Sequence, residues 1–158
     1  MSPAKKKSRP TPKFSLGLPH GGALVSRFVE GKEAESVRRH SEKLPLLLLS
    51  RRQASDLELI ANGGFSPLTG FMGEDDYRSV LKNMSLANGR VWSLPIVLDV
   101  PQAFFEKTKL NSPIALAAPD GARPVGLMAV QEKFVRKLPE EAEAAFGTGD
   151  AAHPGVKA

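Results

Sequence analysis

The sequence contains no cysteine, so disulfide bonds and thiolate metal sites are excluded. An absence of cysteine favours a reducing, intracellular setting, and we expect the protein to be cytoplasmic. The three histidines, His20, His40 and His153, lie far apart and do not show the short spacings of metal ligands. We therefore predict no metal-ligating residue.

Aromatic residues and long apolar runs are also scarce. One tryptophan and one tyrosine are too few for the aromatic and basic strand pattern that binds single-stranded nucleic acid. The longest apolar run covers residues 44–49, whereas a membrane-spanning helix needs about 20 residues. No continuous apolar stretch follows the basic N-terminus, so we do not expect a secretory signal. The length of 158 residues predicts one domain with a substantial core.

The excess of positive charge belongs to the first residues and not to the whole chain. The net charge is +5, from 22 basic and 17 acidic residues. Five of the basic residues lie within the first 13 positions, which hold no acid, so the remainder has 17 of each sign. Residues 1–15 also contain three prolines and few apolar residues, a composition that predicts a disordered basic tail. Such a tail could contact polyanions weakly or simply be solvated, and we favour the second interpretation.

The rest of the chain is organised around residues 51–72, RRQASDLELIANGGFSPLTGFM. Ser55 and Glu58 have the spacing of a capping box, in which each side chain bonds the other residue's backbone amide. We therefore predict that a helix begins at Ser55. Gly63 is predicted to end it, because glycine adopts the left-handed conformation without a Cβ clash. Residues 65–72 form an apolar loop, which should pack against the core because loops are usually polar.

Strands and short helices are predicted without a regular alternation along the chain. Strands are indicated at residues 23–29, at 44–50 (buried on both faces) and at 91–100, and a β-hairpin at residues 114–118 and 124–135. Helices are indicated at residues 33–43, 73–84, 101–110 and 139–146. This pattern predicts an α+β domain around a partly closed antiparallel sheet with short peripheral helices.

Three groups of polar residues are candidate sites, and each also has a structural explanation. His20, beside two glycines, could approach a phosphate, but we favour a structural turn. Arg51 and Arg52 at a helix start could hold an anion, although pairing with a nearby acid such as Asp56 is the favoured use. The acids at residues 74–76 cannot converge on one metal ion, because adjacent helical side chains point in different directions. They are predicted to compensate the helix dipole.

Several short motifs occur in a fixed order along the chain. Besides residues 51–72, they are Pro19-His20-Gly21-Gly22, Leu44-Pro45, Val91-Trp92-Ser93-Leu94-Pro95-Ile96, Asp120-Gly121, Gly147-Thr148 and His153-Pro154-Gly155-Val156. With these motifs the sequence resembles the N-terminal domain of ATP sulfurylase (sulfate adenylyltransferase), over residues 16–158. The resemblance implies a PUA-like fold, which is a partly closed antiparallel β-barrel. This agrees with the α+β prediction.

The resemblance also implies a reaction whose catalytic residues lie elsewhere. In this family of nucleotidyltransferases, which serves sulfate assimilation, ATP with magnesium and sulfate give adenylyl sulfate and pyrophosphate on a following catalytic domain. That domain carries a Gln-x-Arg-Asn motif and a His-x-Gly-His motif. Neither occurs here, since no glutamine has the required residues after it and residues 153–156 are His-Pro-Gly-Val. We therefore predict no catalytic, cofactor-binding or metal-binding residue in this chain, and no activity from this chain alone.

Three classes of function remain open. The leading one is a scaffold and interface domain for the catalytic domain of the same enzyme. The sequence also leaves open that this enzyme is a homo-oligomer. The second is a PUA-like nucleic-acid-binding module, which the neutral body disfavours beyond weak contacts of the tail. The third is a free-standing structural fragment that docks onto a separate catalytic chain.

Overall fold

A computed structural model describes residues 17–121 and 123–157 of the chain. Helices and strands follow one another irregularly along these residues, as expected for an α+β domain. In chain order they are α1 (Gly31–Ser41), β1 (Leu46–Leu48), α2 (Arg51–Asn62), α3 (Glu74–Asn83), α4 (Gln102–Lys107), β2 (Pro113–Ala117), β3 (Pro124–Ala129), α5 (Leu138–Phe146) and α6 (Pro154–Lys157). The predicted basic tail, residues 1–15, lies outside the described residues.

The three strands form one mixed sheet in the order β1-β2-β3. β2 and β3 are an antiparallel pair, which confirms the predicted hairpin, although the second strand ends at Ala129 and not at residue 135. β1 runs parallel to β2, with Leu46 opposite Ala115. The prediction of an antiparallel sheet therefore holds for β2 and β3 and is wrong for β1. The parallel pairing is possible because three helices connect β1 to β2, and a parallel pair needs such a long crossover. The sheet does not close within the described residues, so the predicted barrel is not confirmed.

Two apolar clusters form the core, and the loop of residues 65–72 lies between them. One cluster covers a face of the sheet and contains Leu47, Leu49, Ile114, Leu116 and Val130. The other contains Leu68, Met72, Tyr77, Val80, Leu86 and Val97. The loop contributes Leu68 and Met72 to the second cluster and packs a phenylalanine against each. The prediction that this apolar loop is packed is therefore confirmed.

The helix within residues 51–72 begins five residues earlier than predicted. Its N-cap is Ser50, whose Oγ accepts from the Gln53 amide at 3.2 Å while Gln53 Oε1 accepts from the Ser50 amide at 2.8 Å. Ser55 lies inside α2, where its hydroxyl donates to the carbonyl of Arg51 at 3.1 Å. The prediction of a cap at Ser55 is wrong, because Gln53 also donates from Nε2 to the Asp99 carbonyl at 2.8 Å. That tertiary hydrogen bond favours the capping box of Ser50 and Gln53 over that of Ser55 and Glu58.

The other predicted helices are present, although α1 spans Gly31–Ser41 and not residues 33–43, and α4 ends at Lys107 and not at residue 110. Gly63 ends α2 in the left-handed conformation, with φ of 84°. α3 has three acids in its first turn, and Tyr77 and Val80 on its apolar face are buried. Met84, predicted on the same face, instead ends the helix in the left-handed conformation and is exposed.

Residues 23–29 and 91–100 are not strands, although both have the sequence pattern of one. The first segment is held by separate bonds, from the Val25 amide to Ser66 Oγ (2.9 Å) and from the Arg27 amide to the Ala61 carbonyl (2.8 Å). The second forms an isolated β-bridge between Val91 and Ser85, and its Ile96 carbonyl accepts a hydrogen bond from the Met72 amide. Neither has a ladder partner among the described residues, and a strand requires one.

β1 is also less buried than the sequence indicates. Residues 44–50 are apolar except for Ser50, which predicts burial on both faces. In the structure only the middle residue of β1, Leu47, is buried, while Leu46 and Leu48 are 48% and 55% exposed. The reason is topological, since β1 is an edge strand that pairs with β2 alone in the described part of the chain.

Candidate functional site: a partly open apolar cleft

A partly open cleft of about 840 Å³ lies between the sheet and the loops that face it. The sheet lines one side of this cleft with Ile114, Leu116, Met128 and Val130. The opposite side is built by α4, by the loop of residues 69–73, and by residues 97–100. Residues 131–136, which continue the chain beyond β3, line its rim. A mostly apolar concavity of this size is typical of a binding site.

Much of the backbone around the cleft has no ladder partner. Residues 131–136 form no backbone–backbone hydrogen bond with another described residue. The same holds for residues 97–100, where the Asp99 carbonyl instead accepts a hydrogen bond from the side-chain Nε2 of Gln53. Buried backbone N–H and C=O groups in folded proteins are normally paired. The cleft is bordered by two irregular segments, partly exposed, whose backbone groups have no backbone partner among the described residues.

Arg136 is the centre of a charge network at the rim of the cleft. Its Nε donates to Glu141 Oε2 at 2.8 Å, and its Nη1 donates to both carboxylate oxygens of Asp99. Burial lowers the pKa of Arg136, but the hydrogen bonds and charges of Glu141 and Asp99 outweigh it and leave the pKa raised. Asp99 also lies 3.7 Å from Arg52. The network ties residues 97–100 to residues 131–136 and to α5.

The other charged residues of the cleft stabilise neighbouring helices and loops. Lys133 Nζ donates to the carbonyls of Phe105 (2.6 Å) and Thr108 (2.8 Å), at the C-terminal end of α4. A cation is favoured there by the helix dipole. Glu132 Oε2 accepts from the Glu74 amide at 2.7 Å, at the N-terminus of α3. Arg27 Nε donates to the carbonyl of Thr69 at 3.1 Å.

These charged groups do not converge on one point within the cleft. Catalysis by acid–base transfer or by electrostatic stabilisation needs groups aimed at a common reacting atom. Here each of these charges is already held by an internal partner, several of them across the cleft. No group of three histidine, aspartate or glutamate residues that could hold a metal occurs among residues 17–121 and 123–157. The arrangement is suited to binding a partner surface.

The candidate residues named in the sequence analysis do not form one site. Each lies where it contacts a neighbouring segment of the fold. His20 Nε2 is 2.9 Å from the carbonyl of Val91, and the turn at His20 is closed by a bond from the Gly22 amide to the Pro19 carbonyl. Arg52 pairs with Asp99 and not directly with Asp56. Burial raises the pKa of Asp56, and the charge of Arg52 partly offsets this effect.

The acids at the start of α3 point in different directions, as the helix geometry predicts. Glu74 accepts from Arg78 Nε at 3.0 Å, and Asp76 Oδ1 accepts from the amide of Ala87 at 2.8 Å. Asp75 is exposed. All three lie in the first turn of the helix, where acids are favoured by the helix dipole.

Sequence reasoning missed the residues that shape the cleft. Arg136 and Asp99 are 37 positions apart, and Glu132 and Glu74 are 58 apart. No local motif marks such pairs. The usable signal was the apolar face that Leu94, Ile96, Leu98 and Val100 would form in a strand.

Comparison with known proteins identifies the class to which this fold belongs. Residues 18–158 match the family described as "PUA-like domain", and the chain belongs to this family. Among its relatives is the sulfate adenylyltransferase of Synechococcus sp. (strain JA-3-3Ab), 49% identical over 139 residues. A second is a sulfate adenylyltransferase of Symbiobacterium thermophilum, 45% identical over 139 residues. The resemblance inferred from the motif order is thereby confirmed.

The chain matches only part of each of these proteins. The two alignments cover 88% of this chain and 35% of each relative, so the chain spans about a third of their length. A solved structure, the hexameric APS kinase from Thiobacillus denitrificans, is similar with a TM-score of 0.63 and 28% identity. That match covers 72% of this chain and 23% of the other. No described helix is both long and apolar enough to cross a membrane.

Proposed function

We propose that this chain is the scaffold and interface domain of a sulfate adenylyltransferase. The observation that carries the proposal is the open apolar cleft, in a chain that spans 35% of its sulfate adenylyltransferase relatives. An apolar surface of this kind is stabilised when a partner covers it. The partner on this proposal is the remainder of the enzyme.

The chemistry of the proposed reaction belongs in that remainder. Attack of sulfate on the α-phosphate of ATP releases pyrophosphate, and cationic groups must neutralise the triphosphate as it reacts. Arg136 and Lys133 are the cations of this cleft nearest to such a role, but both are held by internal acceptors. ATP and magnesium would therefore bind outside this chain, which holds the catalytic part in position.

A chimera tests this proposal. The matching third of the Synechococcus relative is replaced by this chain, and sulfate-dependent exchange of labelled pyrophosphate into ATP is measured. We expect the chimera to be active, and the relative without that third to be inactive. This chain alone should also be inactive.

The outcomes separate the proposed function from its alternatives. Activity in this chain alone would mean that the reaction site lies within it. Full activity of the shortened relative would remove the need for a scaffold. Activity restored by mixing the shortened relative with this chain would favour a free-standing docking domain over a covalently joined one.

A further inference from the structure

We propose that Asn88 is a site of spontaneous deamidation, which converts it to aspartate and isoaspartate in the folded protein. The sequence contains the same triplet twice, as Ala61-Asn62-Gly63 and as Ala87-Asn88-Gly89. The two asparagines therefore have the same neighbours along the chain, and only the fold distinguishes them. The reaction consumes water alone and needs no partner, so it does not depend on the proposed function.

The reaction is an intramolecular attack that asparagine followed by glycine favours. The Gly89 backbone nitrogen loses its proton and bonds to the side-chain carbonyl carbon of Asn88, and the side-chain nitrogen leaves as ammonia. The product is a five-membered succinimide ring, which forms readily because both reacting groups belong to adjacent residues. Glycine has no Cβ to obstruct the attack. Water then opens the ring at one of its two carbonyls, which gives aspartate from one and isoaspartate from the other.

The turn around Asn88 leaves the reacting atoms open to water. Residues 87–90 are exposed, and a Cβ at Gly89 would meet nothing within 4 Å. The Asn88 Oδ1 accepts from the Arg90 amide at 3.1 Å, which polarises the carbonyl that is attacked. The Gly89 amide donates to the Leu86 carbonyl at 2.8 Å. That bond lies in a short surface turn, where local opening needs far less free energy than global unfolding.

The matching triplet is protected by packing. Gly63 is buried, and a Cβ there would lie 2.6 Å from Leu24 Cδ1. Asn62 is the last residue of α2, and its Oδ1 accepts from the Gly64 amide at 2.8 Å. For the Gly63 nitrogen to lose its proton to water and attack, the end of the helix must unwind and separate from Leu24. We therefore assign the reaction to Asn88 and not to Asn62.

Isoaspartate at position 88 would disturb contacts beyond the turn, because it adds one carbon atom to the backbone. The added atom would lie between the Leu86 amide and the Arg90 carbonyl, which form a hydrogen bond at 2.8 Å. The Arg90 guanidinium donates to the Gly21 carbonyl. The turn of residues 19–22 is therefore held in part by the segment that the reaction lengthens.

Peptide mapping by mass spectrometry tests the proposal on this chain, folded and in urea. Both samples are incubated at the same mildly alkaline pH, and the conversion of Asn62 and Asn88 is followed with time. In urea we expect similar rates at the two sites, since the triplets are identical. In the folded protein the rate at Asn88 should exceed that at Asn62 by about tenfold or more. The rate at Asn88 should rise with pH, because the attacking nitrogen must lose its proton.

Two outcomes would overturn the proposal. One is a folded protein in which Asn62 reacts as fast as Asn88 or faster. The other is a folded protein in which Asn88 reacts more than about tenfold more slowly than it does in urea, because the turn would then protect it. Asn88→Gln is the control variant, since attack on its longer side chain must close a larger ring. It should remove the conversion at position 88 and leave the rate at Asn62 unchanged.

Hydrogen exchange separates the added backbone atom from the added charge. Asn88→Asp introduces the charge but keeps the backbone length and an acceptor for the Arg90 amide. In this variant the Gly22 amide, which bonds the Pro19 carbonyl at 2.8 Å, should keep its protection. In the isoaspartate form, purified from the incubated protein, it should exchange about tenfold faster. Equal protection in the two forms would overturn the proposed effect on residues 19–22.

Discussion

The hydroxyl of Tyr77 donates a hydrogen bond to Glu141 Oε2 at 2.8 Å, which joins α3 to α5. Glu141 is also held by Arg136, which in turn holds Asp99. The Tyr77 side chain is buried, and its ring lies 5.2 Å from that of Phe134. The network therefore links the second apolar cluster to the rim of the cleft and holds that rim in place without a partner.

Tyr77 should titrate at an unusually high pH. Burial raises its pKa to about 12, and the hydrogen bond and charge of Glu141 act in the same direction. The chain has one tyrosine, so the ultraviolet absorbance of the phenolate reports this residue alone. We expect a midpoint near pH 12 in the folded protein, and about 10 in denaturant. Glu141→Gln should lower the folded midpoint.

The sign of the linked stability change follows from the raised pKa. The fold favours the neutral hydroxyl, so this contribution is complete below the unfolded pKa of about 10 and is lost as pH rises through the folded value. Tyr77→Phe cannot ionise and should lack this loss, which makes it the control for denaturation at alkaline pH. Equal midpoints in the folded and denatured protein would contradict the buried contact.

Ser50 and Ser55 should differ in their importance for α2. Ser50→Ala removes the acceptor for the Gln53 amide and should lower the free energy of unfolding by about 1 kcal/mol. Ser55→Ala should change it by less than about 0.5 kcal/mol, because Ser55 is exposed within the helix and alanine favours helices. Urea denaturation of both variants gives the comparison. A larger loss for Ser55→Ala would restore the helix start predicted from the sequence.

This pair also shows how far local sequence determined the fold. The Ser-x-x-Glu/Gln pattern occurs at both positions, so it predicted a capped helix but could not choose between them. The choice depends on Gln53 reaching the Asp99 carbonyl, 46 residues away. Features that are entirely local, such as the end of α2 at Gly63 and the acids that begin α3, were predictable for that reason.

The cleft could not be predicted because strands depend on their neighbours. Residues 91–100 have an alternating sequence, which shows that they could form one face of a strand. It does not show that another strand lies beside them to form the hydrogen-bonded ladder. In the described chain no strand lies beside them, and they remain irregular. The same dependence separates Leu47, which is buried, from Leu46 and Leu48, which are half-exposed on an unpaired edge. The family resemblance was readable because it depended on the order of motifs, which needs no structure.

Gly63 should tolerate a side chain less well than Gly89. Both have a positive φ, of 84° and 82°, and alanine in that region costs about 1 kcal/mol or more. A Cβ at Gly89 would meet nothing within 4 Å. A Cβ at Gly63 would lie 2.6 Å from Leu24 Cδ1 and 3.1 Å from the Val25 carbonyl oxygen. We expect Gly63→Ala to cost about 2 kcal/mol, against about 1 for Gly89→Ala.

The additional cost should depend on Leu24, which makes the prediction separable from helix capping. Leu24 is 62% exposed, so Leu24→Ala alone should have little effect on the free energy of unfolding. Combined with Gly63→Ala it should recover part of the loss, since it removes the two nearest atoms, although the Val25 carbonyl remains. A double-mutant cycle by urea denaturation measures this coupling. Strict additivity, together with equal costs at Gly63 and Gly89, would show that residues 24–25 do not pack against the end of α2. The segment before α1 would then be held only by its hydrogen bonds, among them those of Val25 with Ser66 and of Arg27 with Ala61 and Thr69.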